Sequence, residues 1–348
     1  MAVQPAALRG VVVGLGAMGT HHVRVLHGLP GVELAAVVDP DPERRARTTA
    51  AYPGVRATAS LAEAVDACAP DFACIAVPVA LLAACGHEAL AAGLHVLVEK
   101  PTAATEQQAL GLVRDAHARG LLLAVGHVER FNPAIVALRD RIEEGSIGRV
   151  HQLHARRLSP FPNRGDMRGV ALDLATHDVD VMRFATGQEV DRVYAETASP
   201  LHTGGEDLLC ATMRLGDGTT GLLEANWMTP TKVRQLSVLG ERGMLVVDYL
   251  AQVLELYEHP KHANEWDALA AVRGGGEGNM TRYALDRREP LRAQWEGFVA
   301  ALRAGEPAPV DGMDGLAALS TAQAIRRSAA SHEPVVPGYR LALHERIA

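Results

Sequence analysis

The first 126 residues carry five near-continuous apolar runs separated by helical stretches. The runs are "RGVVVGLG", "VELAAVVD", "DFACIAVP", "HVLVEKP" and "LLLAVGH". Ala-rich segments such as Leu81 to Ala92 and Thr105 to Arg119 lie between them, and Asp41 can cap another helix with Pro42 at its first position. A strand apolar on both faces must be covered on both faces, and parallel strands need a crossover between each pair. The alternation predicts a parallel sheet wrapped by helices on either side.

The pattern changes after about Gly126. A helix from Pro133 to Glu144 leads to "RVHQLHARRLS" and then to a helix-like stretch, "LDLATHDVDVM", Leu172 to Met182. From Val190 to Tyr257 the strands lengthen and follow one another directly. "LLCATMRLGDGTTGLLEANW" reads as two strands around Gly216-Asp217-Gly218, and "KVRQLSVLGERGMLVVDYL" as two more around Gly240 to Gly243. Such runs predict an antiparallel meander in one open sheet. Ala263 to Asn279, with "RGGGEGN", reads as a mobile loop, and helices Leu291 to Ala304 and Gly312 to Ala330 close the chain. The expected fold class is α/β: a doubly wound parallel sheet over residues 1–126, then an α+β domain over 127–348 with a large, mostly antiparallel open sheet. The last helices are free to pack back on the first domain.

At 348 residues the chain exceeds the usual single-domain size, in keeping with that division. Its net charge of -7 argues against a nucleic-acid or anionic-membrane partner. No basic and apolar leader opens it, and no apolar run approaches the ~20 residues of a membrane span, so a cytoplasmic protein is expected. Cys68, Cys74, Cys85 and Cys210 form no CxxC pair and are read as reduced and structural.

"GLGAMG", Gly14 to Gly19, follows an apolar strand and opens a helix, the context that gives GxGxxG its meaning. Gly14 permits the tight turn, Gly16 lets the backbone approach a pyrophosphate, and Gly19 lets helix and strand pack closely. The helix N-terminus then offers N–H groups to the phosphates. Asp39 ends the second strand, where a carboxylate bonds ribose hydroxyls and repels a 2′-phosphate. NAD is therefore expected over NADP, although Arg44 and Arg45 stand close by.

"VEKP", Val98 to Pro101, ends another strand of this sheet, on the edge where open parallel sheets bind ligands. Proline cannot continue the ladder, so Lys100 either projects near the nicotinamide as a proton-transfer group or is a surface lysine at a turn. In "LDLATHDVDVM", Asp173, His177 and Asp180 fall within about 60° of one another on a helical wheel, among apolar neighbours. Asp173 and His177 at i, i+4 can act together, or join a buried network between two elements. A metal site with a histidine of "HQLH" is a third arrangement, but His151 and His154 point to opposite faces of a strand, and no metal is expected.

Gly14 to Gly19, Asp39, the Glu99-Lys100-Pro101 triplet and "DLATHDVD" occur in the order seen in the Gfo/Idh/MocA family of NAD(P)-dependent sugar and cyclitol oxidoreductases, which the whole chain resembles. The resemblance implies a Rossmann domain followed by an open-sheet domain, with substrate between that sheet and the nicotinamide. It implies catalytic roles for Lys100, Asp173 and His177. Cofactor contacts are expected from Gly14, Gly16, Ala17, Met18, Gly19, Asp39, Pro78, Glu99 and Lys100. Homodimers or homotetramers formed through the sheets are implied as well.

"GHVERFNPA" and "NWMTPTKVRQLSVLGERG" further resemble the branch with UDP-N-acetylglucosamine 3-dehydrogenases. A nucleotide-sugar needs cations for its diphosphate. Arg156, Arg157, Arg164, Arg168, Lys232 and Arg234 either form that anion site or sit on a solvated surface. Arg157, Arg168 and Asp180 are the expected substrate contacts. The alternatives are another enzyme on this scaffold, acting on inositol, a free sugar or a sugar phosphate; an NAD-dependent glycosidase; or a dinucleotide-binding sensor without catalysis.

Overall fold

The computed structural model describes residues 6–162, 169–201, 204–259 and 278–340. They divide into two compact units, Met1–Val128 with Glu289–Ser320, and Glu129–Arg288 with Thr321–Ala348.

The first unit is built on six parallel strands: β1 (Leu8–Val13), β2 (Val32–Val38), β3 (Arg56–Thr58), β4 (Phe72–Ile75), β5 (His95–Val98) and β6 (Leu123–Val125), in spatial order β3-β2-β1-β4-β5-β6. The order reverses between β1 and β4, which leaves a crevice at the carboxyl ends of the strands. β3 and the helix after it, α3 (Leu61–Cys68), have no counterpart among the sequence expectations. A strand of three residues, polar at both ends, makes no apolar run. Helices α1 (Ala17–His27), α2 (Pro42–Ala51), α4 (Val79–Ala91) and α5 (Glu106–Arg119) supply the other crossovers. Asp41 accepts from the Glu43 and Arg44 N–H groups and caps α2.

Late in the chain, α8 (Pro290–Ala304) returns to this unit. It buries Leu291, Trp295, Phe298 and Val299, a stripe at helical spacing, and Trp295 and Phe298 pack on Phe72 of β4 with centroids 5.5 and 5.4 Å away.

The second unit holds an eight-stranded sheet. Its strands are β7 (Val150–Pro160), β8 (Val190–Ala198), β9 (Leu208–Leu215), β10 (Thr220–Asn226), β11 (Met228–Gly240), β12 (Gly243–Asp248), β13 (Val253–Glu258) and β14 (Met280–Arg282). The order is β14-β13-β12-β11-β7-β10-β9-β8. This departs from a plain meander. β10 and β11 are joined through Trp227 alone yet are not neighbours, because β7 lies between them, parallel to β10 and antiparallel to β11. Local spacing cannot reveal a strand inserted from far upstream. One face is covered by α6 (Pro133–Glu143) and α7 (Thr176–Thr186) over a core that includes Leu153, Ala155, Leu209, Leu236 and Val247.

The last described helix, α9 (Gly312–Ser331), belongs to the first unit up to Ser320 and to the second from Thr321. Most of the loop expected at Ala263 to Asn279 lies outside the described residues. All four cysteines are free thiols: Cys68 and Cys74 are buried, Cys85 is half-buried, and strand alternation turns Cys210 to the exposed face of β9. No described helix is long and apolar enough to cross a membrane.

α7 is held by guanidinium–carboxylate pairs. Arg157 of β7 donates to both oxygens of Asp178, at 2.5 and 3.1 Å, and Arg130 donates to both oxygens of Asp180, at 2.8 and 2.6 Å. Arg183 binds Glu189 in the same two-pronged way. Removing one member of a buried pair strands the other, at a cost of about 3–5 kcal/mol. Asp178→Ala should therefore lower the unfolding free energy by that amount in a denaturant titration, because Arg157 is only 4% exposed and, among the described residues, would keep Glu129, 3.3 Å away, as its one carboxylate partner. Glu143→Ala, which removes the exposed Arg139 pair, should cost under about 1 kcal/mol. Equal effects of the two substitutions would contradict this account of how α7 is anchored.

Candidate active site

The three glycines after β1 answer to three separate demands. Gly14 has φ +93°, and a Cβ there would meet the Ala76 carbonyl oxygen at 2.5 Å. At Gly19 a Cβ would stand 1.8 Å from the Gly14 carbonyl oxygen, so only glycine lets α1 start this close to the sheet. Above Gly16 there is nothing within 4 Å. No side chain caps α1 at Gly16, and its first turn holds no acidic residue. The N–H groups of that turn, with open space over Gly16, fit a dinucleotide diphosphate.

Asp39 is 3% exposed. One of its carboxylate oxygens accepts the Leu15 N–H at 2.8 Å, the other the Asp41 N–H at 2.9 Å, and Arg44 Nη1 lies 3.6 Å away. The carboxylate thus ties the glycine turn to the end of β2, with acceptor capacity left for ribose hydroxyls. Ala17 and Met18 open α1, Pro78 precedes α4 at the end of β4, and Glu99 and Lys100 follow β5. Strand register (Val13 beside Val38 and Ile75, Ile75 beside Val98) puts all of them on one edge of the sheet.

Glu99 is buried, with one oxygen 2.8 Å from His22 Nε2 and the other accepting the Lys100 N–H at 3.1 Å. Burial works to raise its carboxyl, but His22 and Lys100 hold it below the usual carboxylate range. His22 and its partner Trp295 escape the sequence reading, because a histidine in an amphipathic helix carries no mark of burial.

In the second unit a π-helical turn, Ala171–Ala175, runs into α7. Such turns recur at functional sites. Glu206 accepts the Ala171 N–H at 3.0 Å at the head of this segment. From Val170 to Arg183, Asp173 and His177 are the two residues that are not buried. The polar stripe of the sequence is therefore real but shorter than expected. Asp180 leaves it, being 1% exposed and bonded to Arg130.

Arg157 likewise lies inward, between Asp178 and Glu129. Arg157 and Asp180 thus anchor the helix from within and do not present open side chains for a ligand. Arg164 and Arg168 lie outside the described residues, and Arg156 pairs with Glu224 across the sheet at 3.2 Å. Arg234 stands directly across from Arg157 in strand register. It donates to the Leu158 and Val233 carbonyl oxygens, each at 2.9 Å, and among the described residues no carboxylate forms an ion pair with it. Burial, then the charge of Arg157, pushes Arg234 down to about 10, while Asp178, Glu129 and Asp173 pull the other way. Among the described residues no group of three or more His, Cys, Asp or Glu side chains could hold a metal ion.

A doubly wound sheet with a diphosphate-accepting glycine turn, and a lysine on the same strand edge, defines a dinucleotide-dependent oxidoreductase. Comparison with known proteins identifies the group. Residues 8–127 match the oxidoreductase family with an NAD-binding Rossmann fold, and residues 135–246 match the GFO/IDH/MocA C-terminal domain. The chain belongs to the Gfo/Idh/MocA family; it is an NAD-dependent oxidoreductase acting on CH–OH groups.

It is 30% identical to a UDP-N-acetylglucosamine 3-dehydrogenase of Acidithiobacillus ferrooxidans over 92% of this chain and 96% of that one. A structure of that enzyme superposes with a TM-score of 0.83 at 29% identity, covering 94% and 99% of the two chains. A myo-inositol dehydrogenase of Streptomyces leeuwenhoekii is 32% identical over 93% and 97%. A structure of GenD2, from gentamicin A biosynthesis, in complex with NAD has a TM-score of 0.80 at 26% identity, covering 96% and 97%.

Asp39→Ala should weaken NAD binding by roughly tenfold or more in a fluorescence titration, since it removes charge-assisted bonds that shape the glycine turn. An unchanged dissociation constant would remove Asp39 from the cofactor site.

Proposed function

We propose that the protein oxidises a ring hydroxyl of a nucleotide-sugar to a ketone, with C3 of UDP-N-acetylglucosamine as the favoured position. The observation that carries this reading is Arg234. A half-buried guanidinium pushed down by burial and then by a second arginine, with no carboxylate pair among the described residues, gains most from an incoming anion. A diphosphate supplies one, whereas an uncharged cyclitol does not. The likeness to a UDP-N-acetylglucosamine 3-dehydrogenase along nearly all of both chains supports the same reading.

Bound NAD supplies the hydride acceptor. Gly14, Gly16, Ala17, Met18 and Gly19 hold its diphosphate on the N-terminus of α1, Asp39 its ribose, and Pro78 and Glu99 complete the sheet edge. As the carbinol carbon gives up hydride and the carbonyl forms, Lys100 Nζ takes the hydroxyl proton and steadies the oxygen while charge develops on it. In the second unit Asp173 orients His177 from one turn away, which makes the pair that unit's candidate for acid–base work. Arg157 and Asp180 serve through α7, keeping Asp173 and His177 on a fixed base. The open face of the second sheet, with His154, Tyr194, Glu196 and Leu222, is the surface we propose for pairing with a second copy.

Lys100→Ala should reduce turnover by about a hundredfold or more with NAD affinity nearly unchanged. Activity near wild type would remove Lys100 from the mechanism. A single-turnover absorbance assay with NAD and, separately, UDP-N-acetylglucosamine, UDP-glucose, glucose 6-phosphate and myo-inositol tests the substrate. NADH should appear with the UDP-N-acetyl sugar, and Arg234→Met should raise KM for it by roughly tenfold. NADH with myo-inositol alone would favour the cyclitol reading suggested by the 32% identical relative.

A further inference from the structure

His22 lies on α1, fully buried, and three other elements of the first unit converge on its ring. Trp295 of α8 donates its indole N–H to His22 Nδ1 at 2.9 Å. Glu99, after β5, lies 2.8 Å from Nε2, and Cys74 of β4 also acts on the ring. An indole nitrogen can only donate, so Nδ1 must carry the lone pair. The single ring proton therefore sits on Nε2 and is donated to the Glu99 carboxylate. This makes His22 an uncharged imidazole of fixed tautomer. Charging it would set a second N–H against the indole N–H in a site without solvent.

Glu99 has little freedom of its own. Its second oxygen accepts the Lys100 backbone N–H, and a Cβ at Gly126 would come within 3.0 Å of its carboxyl carbon. Three hydrogen bonds in series thus run from a tryptophan on a late helix to the backbone that carries Lys100.

We infer that Trp295 and His22 are positioning residues for Lys100: the indole selects the imidazole tautomer, the imidazole holds Glu99 ionised and in place, and Glu99 fixes the backbone from which Lys100 projects. This rests on the role proposed for Lys100, while the state of the ring does not. The ionisable groups acting on His22 are Cys74 and Glu99, and Lys100 acts in turn on Glu99. Burial opposes a charge on the ring, whereas Cys74 and Glu99 favour one and push His22 up to about 10. The indole bond is what stands against them, so its removal should let the ring take up a second proton at neutral pH.

The test is heteronuclear NMR of isotope-labelled histidine in the full-length protein, with the His22 signals assigned from their loss in His22→Gln. Between about pH 6 and about pH 9, a range spanning free imidazole titration, the wild-type ring should remain neutral and protonated on Nε2. In Trp295→Phe it should become doubly protonated at neutral pH. That variant should also lose roughly tenfold in kcat with little change in NAD affinity. His22→Gln can donate to Glu99 and accept from the indole, so it should retain most activity, whereas His22→Ala should not. A simple packing defect in Trp295→Phe would lower the melting temperature without changing the ring.

A doubly protonated wild-type ring, or a Trp295→Phe ring that stays neutral, would overturn the chain of bonds. A ring that responds as expected with kcat unaffected would keep the chain but sever it from Lys100. Failure of the Lys100 assignment itself would show separately, as a Lys100→Ala enzyme that still turns over.

Discussion

A backbone oxygen and a missing methyl group set up the first unit. The Gly14 carbonyl occupies the space that a side chain at residue 19 would need, so α1 can begin directly over the end of β1. That approach brings the free N–H groups of the helix to the strand edge and leaves room above Gly16. It also delivers His22, less than one turn further along α1, to the end of β5. Asp39 closes the arrangement from the other side by accepting the Leu15 N–H. Cofactor site, buried histidine and lysine edge thus depend on one contact that tolerates no Cβ.

The second unit solves a different problem. Asp173 and His177 are the half-buried residues of an otherwise buried stretch, and such a helix would normally be fixed by apolar contacts alone. Here Asp178 and Asp180 are also buried, and each receives a two-pronged guanidinium. Buried ion pairs add little stability over well-packed apolar residues, but breaking one is costly and their geometry is directional. Their two-pronged geometry fixes the rotation of α7 about its axis, and the direction of Asp173 and His177 depends on that rotation.

Much of this architecture was legible in the sequence. Parallel strands buried on both faces are continuous apolar runs, and the glycine turn declares itself because its steric demands are local. Asp173 and His177 stand out because polar groups on an apolar helix need a reason. β3 was not legible, being short and polar, nor was the insertion of β7 between β10 and β11, since strand pairing over such distances leaves no local trace. The partners of Asp178 and Asp180 lie 21 and 50 residues away, and Trp295 lies 273 residues from His22. A sequence shows charges, not which of them meet. For that reason Arg157 and Asp180 read as substrate contacts when they are anchors, while Arg234 read as one cation among several.

The central claim is that this chain moves a hydride from a ring carbon of a nucleotide-sugar to NAD. The most direct measurement is a single turnover with UDP-N-acetylglucosamine deuterated at C3, followed by mass analysis of the nicotinamide product. The account predicts NADH that carries the deuterium and forms more slowly than with unlabelled substrate. NADH without deuterium would place the oxidation at another carbon, and the absence of NADH from protein shown to bind NAD would contradict the proposed substrate.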